Sequence, residues 1–470
     1  MIVPIFAGLI VLYIALNRAI DYSSKKDSAG KAVTDSSPEL TRLTRQYLII
    51  YLAAMFADWI QGPYVYRLYA TYGYSVDQIA ILFVAGFGSS MLFGTFVGSL
   101  ADSYGRKNSC LTFCVLYFIS CLTKHSPVFE VLMLGRILGG IATSILYAAF
   151  EAWLVSESHT RQLHETQLGS IFAAATTGNG IVAIVSGVIA SAANDSWGVV
   201  APFDVSVNLV QPLLENFINN RIQAFVLAAT GFAILFLWTE NYGDRNTGTS
   251  IMSQFKFGEA FARIRADNRI YALFVSQSLY ESAMYIFVFL WTPTLEKTAG
   301  SAGIQHGWIF ACFMVCCMIG SEIFSLLVAS FKIQVEDFSY KIFAVAGVAF
   351  ILPVLTNSPL LCLSSFFVFE ACCGLYWPVM GTLRGKYIAD DVRSTTMTLF
   401  RLPLNLIVVV TLMNLKHMDD RVVWVMCATM LLVSAVVQYV TFAGKTTRGY
   451  GTIGDRDTDA TELESAPKLH

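Results

Sequence analysis

The chain has 470 residues, 55% of them apolar and 14% charged, with a net charge of −2 and a mean hydropathy of +0.58. Soluble domains carry about 25% charged residues, so this composition excludes an ordinary soluble domain and points to a bilayer. No basic stripe outside loops suits nucleic acid. The ten cysteines all fall in or beside apolar stretches, which excludes a secreted disulfide framework and a zinc site.

The first apolar run, Ile2–Leu16, is followed by Arg18, Lys25 and Lys26 and has no basic residues before it. A cleaved leader shows the reverse order. Residues 1–18 therefore read as a retained transmembrane helix and 19–45 as a cytoplasmic linker. Twelve further spans of the ~20 residues a bilayer needs are expected near 46–66, 77–100, 108–124, 128–152, 167–192, 222–239, 270–291, 303–328, 338–356, 359–383, 394–414 and 421–442. The fold class is an all-α polytopic membrane protein. One six-span half occupies 46–240 and a second 270–442, divided by a cytoplasmic stretch at 241–269. In that stretch Phe255–Ile264 places Phe257, Phe261 and Ile264 on one face, as a short helix on the inner membrane surface would. Residues 443–470 read as a disordered cytoplasmic tail. With 19–45 inside, thirteen loop Lys and Arg fall on the cytoplasmic side, Arg384 and Lys386 among them, against six outside. Asn194-Asp195-Ser196, in the loop 193–221, is an N-glycosylation acceptor pattern if that loop is luminal.

Asp58, Arg136, Glu281, Glu370 and Arg401 lie deep inside these spans. A charge near the bilayer centre costs roughly 2.5–3.5 kcal/mol on insertion scales, so such residues face a cavity, pair, or handle an ion. Asp58 and Glu281 fall at matching depths in the first and seventh spans, ~17–18 Å in at 1.5 Å per residue. That echo suits the internal repeats of secondary transporters. Asp58 and Gln61 share a face, as do Gln277, Glu281 and Tyr285. No phosphate-binding loop supports ATP-driven pumping, and no nucleophile–base pair or metal cluster suggests an enzyme or a cofactor.

Between the second and third spans the chain reads Gly98-Ser-Leu-Ala-Asp102-Ser-Tyr-Gly105-Arg106-Lys107. This resembles the major facilitator superfamily signature G-x-x-x-D-x-x-G-R-K. Arg136-Ile-Leu-Gly139-Gly140 resembles its R-x-x-Q-G motif with Gly in place of Gln; its G-P-x-x-G antiporter motif is not evident. Asp58-Trp59-Ile-Gln61-Gly-Pro63-Tyr64-Val-Tyr66, Phe150-Glu151-Ala-Trp153, Phe287-Val-Phe-Leu-Trp-Thr-Pro293, Glu370-Ala-Cys-Cys-Gly-Leu-Tyr376 and Phe400-Arg401-Leu-Pro403 together resemble the molybdate-anion transporter family. The resemblance implies a twelve-helix major facilitator core of two pseudo-symmetric halves plus one extra N-terminal helix. It also implies molybdate uptake across the plasma membrane, with the first, fourth, seventh and tenth spans lining a central cavity.

Molybdate is a tetrahedral dianion, and a guanidinium fork suits an oxyanion. Arg136 and Arg401 are the candidate anion ligands, with Gln61, Asn179, Gln277, Tyr376 and Asn405 as neutral donors. The alternatives are a permanent Arg136–Asp58 ion pair and an Arg401 that reaches for the cytoplasmic interface. Asp58, Glu281 and Glu370 are candidate proton carriers, since three ionised acids would repel a dianion. Asp102, Gly105, Arg106 and Lys107, with Glu151, are expected to gate by latching one state. Gly98, Gly105 and the runs 86–98 and 135–140 are expected to permit close helix contacts. A sulfate-like oxyanion or an organic solute as cargo, and a non-transporting sensor or scaffold, stay open at this point, as does the oligomeric state.

Overall fold

The computed structural model describes residues 2–27, 38–207, 226–243 and 257–443. Parts of the expected linker, outer loop and inter-half stretch, and all but the first residue of the expected tail, lie outside the described residues. Helix α1 (Ile2–Asp27) precedes α2 (Pro38–Trp59), which does not continue to residue 66. Pro63 lacks the N–H a continuing helix needs, so the span resumes as a tight turn, Gly62–Tyr64, and a short α3 (Val65–Thr71). The next span divides into α4 (Val76–Gly94), opened by a Ser75–Gln78 capping box, and α5 (Val97–Tyr104). Then follow α6 (Arg106–Leu122), α7 (Phe129–Thr160), α8 (Glu165–Trp197), the short α9 (Ala201–Val207) and α10 (Val226–Leu237).

After α11 (Phe257–Ala266) come α12 (Asn268–Ala299), α13 (His306–Ser325), α14 (Val335–Ala349), α15 (Leu352–Leu355), α16 (Pro359–Tyr387), α17 (Asp390–Met413) and α18 (Asp420–Phe442). Among the described residues, eleven helices are long and apolar enough to cross a membrane, and α10 is a shorter apolar one. The chain is a multi-pass membrane protein. Pro293, Pro378 and Pro403 sit inside α12, α16 and α17, as helices of membrane proteins tolerate.

Helices α2, α4, α6, α7, α8 and α10 pack among themselves, as do α12, α13, α14, α16, α17 and α18. The two sets meet where α8 lies on α13 and α4 on α17. Gly187 and Gly307 make the first meeting close: a Cβ on Gly187 would stand 2.7 Å from the Gly307 carbonyl oxygen. Helix α1 lies along α13, with Phe6 edge-on to Trp308 at 5.4 Å and Asn17 donating to Glu322 at 3.4 Å.

Two expectations, on Gly98 and Asn194, are corrected. Gly98 has open space around it and makes no close approach, whereas Gly140 abuts Gly86 and Ser89. Ile264 is buried where α11 packs on α12 and α17, and Phe261 stays exposed. Asn194 lies in the last turn of α8 rather than in a loop, donating to Asp195 at 3.1 Å.

Candidate functional site

Two acids stand inside the helix packing, one in each set. Asp58, near the end of α2, accepts a hydrogen bond from Tyr117 at 2.6 Å. Arg136 is within electrostatic reach of it, yet an ion pair, the alternative to an anion-ligand role, is not formed. The guanidinium instead donates from Nε to the Leu82 carbonyl at 3.2 Å and lies 4.9 Å from the Phe83 ring centre. Gly86 makes that room, since a Cβ there would come within 2.5 Å of the guanidinium. Gln61 lies just past the end of α2; its amide reaches the Ala57 carbonyl at 3.0 Å and the Cys121 sulfur at 3.3 Å, one turn of α6 from the Tyr117 that bonds Asp58. Asn179 on α8 accepts from the Trp59 indole at 2.8 Å.

Glu281, on α12, accepts from the Tyr376 hydroxyl at 3.0 Å and hydrogen-bonds Gln277 one turn away. Tyr376 is fixed by stacking on Tyr280, with ring centres 4.1 Å apart. Two guanidiniums, Arg384 and Arg401, act on Glu281 electrostatically. Arg384 donates to Gln277 Oε1 at 3.1 Å. Among the described residues, no hydrogen bond or ion pair holds the exposed Arg401 guanidinium, although its backbone carbonyl accepts from Asn405 at 2.6 Å.

Tyr285, one turn beyond Glu281, feels Arg401 and packs edge-on to Phe87 at 5.0 Å across the seam. Tyr147 on α7 is 54% exposed although Asp58, Tyr51 and Tyr285 lie around it, so its free surface opens between the two helix sets. Glu151, one turn on, is exposed as well. Electrostatic contacts thus link Asp58, Tyr147, Tyr285, Glu281 and Arg401 across the two helix sets. Glu370 stands apart, on the side of α16 that faces Cys316 and Cys317 of α13.

At one end of the bundle Asp102 pairs with Arg106 at 2.7 Å. Gly105, at φ +105°, turns the chain where a side chain would strike the Glu240 carboxylate. Glu240 accepts from the backbone N–H of Lys107 at 2.9 Å and of Asn108 at 3.1 Å. It thereby caps from a distance the first turn of α6, whose N–H groups lack partners and carry partial positive charge. Trp153 donates to the Thr239 carbonyl at 2.8 Å, and its ring stacks on Trp238 at 3.8 Å. At the other end Glu296 bridges the two sets, meeting Arg67 at 3.2 Å and His306 at 3.0 Å. An open cavity of about 510 Å³ lies beside that bridge, lined also by Tyr64 and Asn194 and remote from Glu281.

Sequence reasoning missed Arg384 and Glu240. Arg384 stands eight residues beyond Tyr376 on one helix, a spacing that would have suggested it.

A family profile described as sugar transporters, 12 TM, matches residues 1–372. The molybdate-anion transporter of Xenopus tropicalis is 34% identical over 443 residues, covering 91% of this chain and 91% of its own. That of Takifugu rubripes is 31% identical over 424 residues, covering 86% of each. The chain belongs to the molybdate-anion transporter family. Membership makes it a membrane transporter and not an enzyme. The family's fold is the major facilitator one. The nucleoside transporter NupG superposes with a TM-score of 0.63 at 14% identity, over 85% of this chain and 99% of that one. The peptide transporter POT in complex with sulfate does so at 0.65 and 12% identity, over 85% and 94%.

Proposed function

We propose that this chain takes up molybdate by alternating access, coupled to protons. Arg401 carries the reading. An arginine at the centre of a membrane-spanning helix costs roughly 2.5–3.5 kcal/mol; Arg401 has no hydrogen bond or ion pair on its guanidinium among the described residues, and a carrier that must bind an oxyanion gives that charge a use. A neutral sugar would not. Gln277 and Tyr376, which bond Glu281, and Asn405, which bonds the Arg401 carbonyl, are the neutral donors and supports, while Asp58, Gln61, Asn179 and Arg136 belong to the facing wall. Glu281 repels a dianion while ionised, so the anion enters as Glu281 takes a proton; Asp58 and Glu370 are secondary proton sites.

The moving parts are two six-helix halves, 46–240 and 270–442, with α1 as an additional helix on the second. They rock about the α4–α17 and α8–α13 contacts. The Arg106 end faces the cytoplasm, where positive loop charge collects, and so does the C-terminal tail; the membrane is the plasma membrane. The closed Arg67–Glu296–His306 bridge, with Tyr147, Glu151 and Arg401 exposed, is the inward-open state. Asp102, Gly105, Arg106 and Lys107, capped by Glu240, hold the inner end of the first half as one unit, and Glu151 borders its opening.

The test is labelled molybdate uptake into proteoliposomes under an imposed pH gradient. Saturable uptake that accelerates with an inward proton gradient is expected. Uptake indifferent to the gradient removes the coupling, and complete competition by equimolar sulfate reassigns the cargo. Absence of saturable uptake removes the reading altogether.

A further inference from the structure

We propose that Arg384 is the second arginine of the anion site, so that Arg384 and Arg401, rather than Arg136, close on the tetrahedral dianion. This rests on the reading of the chain as an oxyanion carrier. Arg384 lies in the last turn of α16, where a cation ordinarily reaches for the interface or the terminal carbonyls. Its neighbours at that end do the ordinary thing: Lys386 pairs with Glu336 and Arg269 with Asp267. Arg384 turns the other way. Helical side chains lean toward the N-terminus of their helix, and on α16 that lean carries the guanidinium back along the helix to Gln277, which is 3% exposed and one turn from Glu281.

The Gln277 amide takes one of five N–H donors and none of the charge. Among the described residues, no ion pair within 4.0 Å neutralises Arg384. Arg384 and Arg401 therefore share a single acid, Glu281. Two guanidiniums against one carboxylate leave one positive charge in the empty site. A dianion arriving alone would leave one negative charge; a dianion arriving with one proton on Glu281 leaves none. Arg136 offers no such arrangement, since the Leu82 carbonyl, the Phe83 face and the Gly86 backbone already enclose it. The groups facing Glu281 are Gln277 and Tyr285 of its own helix, Tyr376 and Arg384 of α16 and Arg401 of α17.

The experiment is calorimetric titration of the purified full chain with sodium molybdate, and sodium chloride as the control. The unaltered chain is compared with Arg384→Gln, Arg384→Lys and Lys386→Gln, each first checked for a cooperative thermal transition. Arg384→Gln should weaken binding at least tenfold. Arg384→Lys, which keeps the charge and loses the fork, should fall between, and it decides the matter should Arg384→Gln not fold. Lys386→Gln should bind within twofold of the unaltered chain. Arg384 variants that all bind within threefold overturn this inference and leave the transport reading standing. No molybdate binding by the unaltered chain overturns both.

Discussion

Asp58 and Glu281 are the same idea executed twice with different surroundings. Each is an acid that accepts from a tyrosine of a neighbouring helix, Asp58 near the end of α2 from Tyr117 at 2.6 Å and Glu281 midway along α12 from Tyr376 at 3.0 Å. Beside Asp58 the nearby arginine is already committed to a carbonyl and a ring. Beside Glu281 two arginines stand, one held by an amide and one by nothing among the described residues. An acid bonded to a tyrosine occurs in each helix set, but chemistry can be concentrated in one of them. We read the Asp58 side as a wall and a lever, and the Glu281 side as the place where charge changes hands.

The sharpest way to break that contrast is to neutralise each acid. Glu281→Gln should reduce gradient-driven molybdate accumulation more than tenfold in proteoliposomes while leaving exchange of labelled for unlabelled anion within threefold. Asp58→Asn should lose less accumulation; the opposite ranking would reverse the assignment. Next come the arginines. Arg401→Gln should raise the KM for molybdate about tenfold, or about 1.4 kcal/mol. Arg136→Gln should instead lower the thermal transition of the purified protein, losing a hydrogen bond and a cation–π contact of about 1 kcal/mol each.

The tyrosines come next. Tyr117→Phe and Tyr376→Phe each remove a bond to an acid, worth about 1.5–3 kcal/mol when that acid is ionised. Only Tyr376→Phe should move the pH optimum of uptake. The smallest effect concerns the first half alone. His125, half exposed, bonds Asp204 at 2.8 Å, and that bond raises the imidazole pKa above its ordinary value. The stabilisation is complete below about pH 6.5 and is lost as pH rises through the raised value. Screening keeps it under about 1 kcal/mol. His125→Asn should flatten the dependence of the thermal transition between about pH 6 and pH 8, whereas Lys297→Ala, which breaks the Lys297–Asp420 pair of the second half, should leave that slope unchanged.

The deep charges were legible in the sequence because a bilayer makes each one conspicuous, and so were most spans. The failures share a cause. The motif that carries Asp58 and Gln61 does not say which groups of α6 they meet, Tyr117 and Cys121. Arg384 was concealed by Lys386 beside it, since together they look like positive-inside loop charge. Glu240 was concealed by distance: the N–H groups it caps lie 132 and 133 residues earlier. Depth is written locally in apolar composition. Partnership across the bundle is not.

The placement of α1 carries a mechanical consequence. It is fastened to α13, while the chain continues into α2, which packs against α8 and α10. If the halves rock as proposed, α1 is carried by the second set while α2 is carried by the first, so two helices consecutive among the described residues ride on opposite halves.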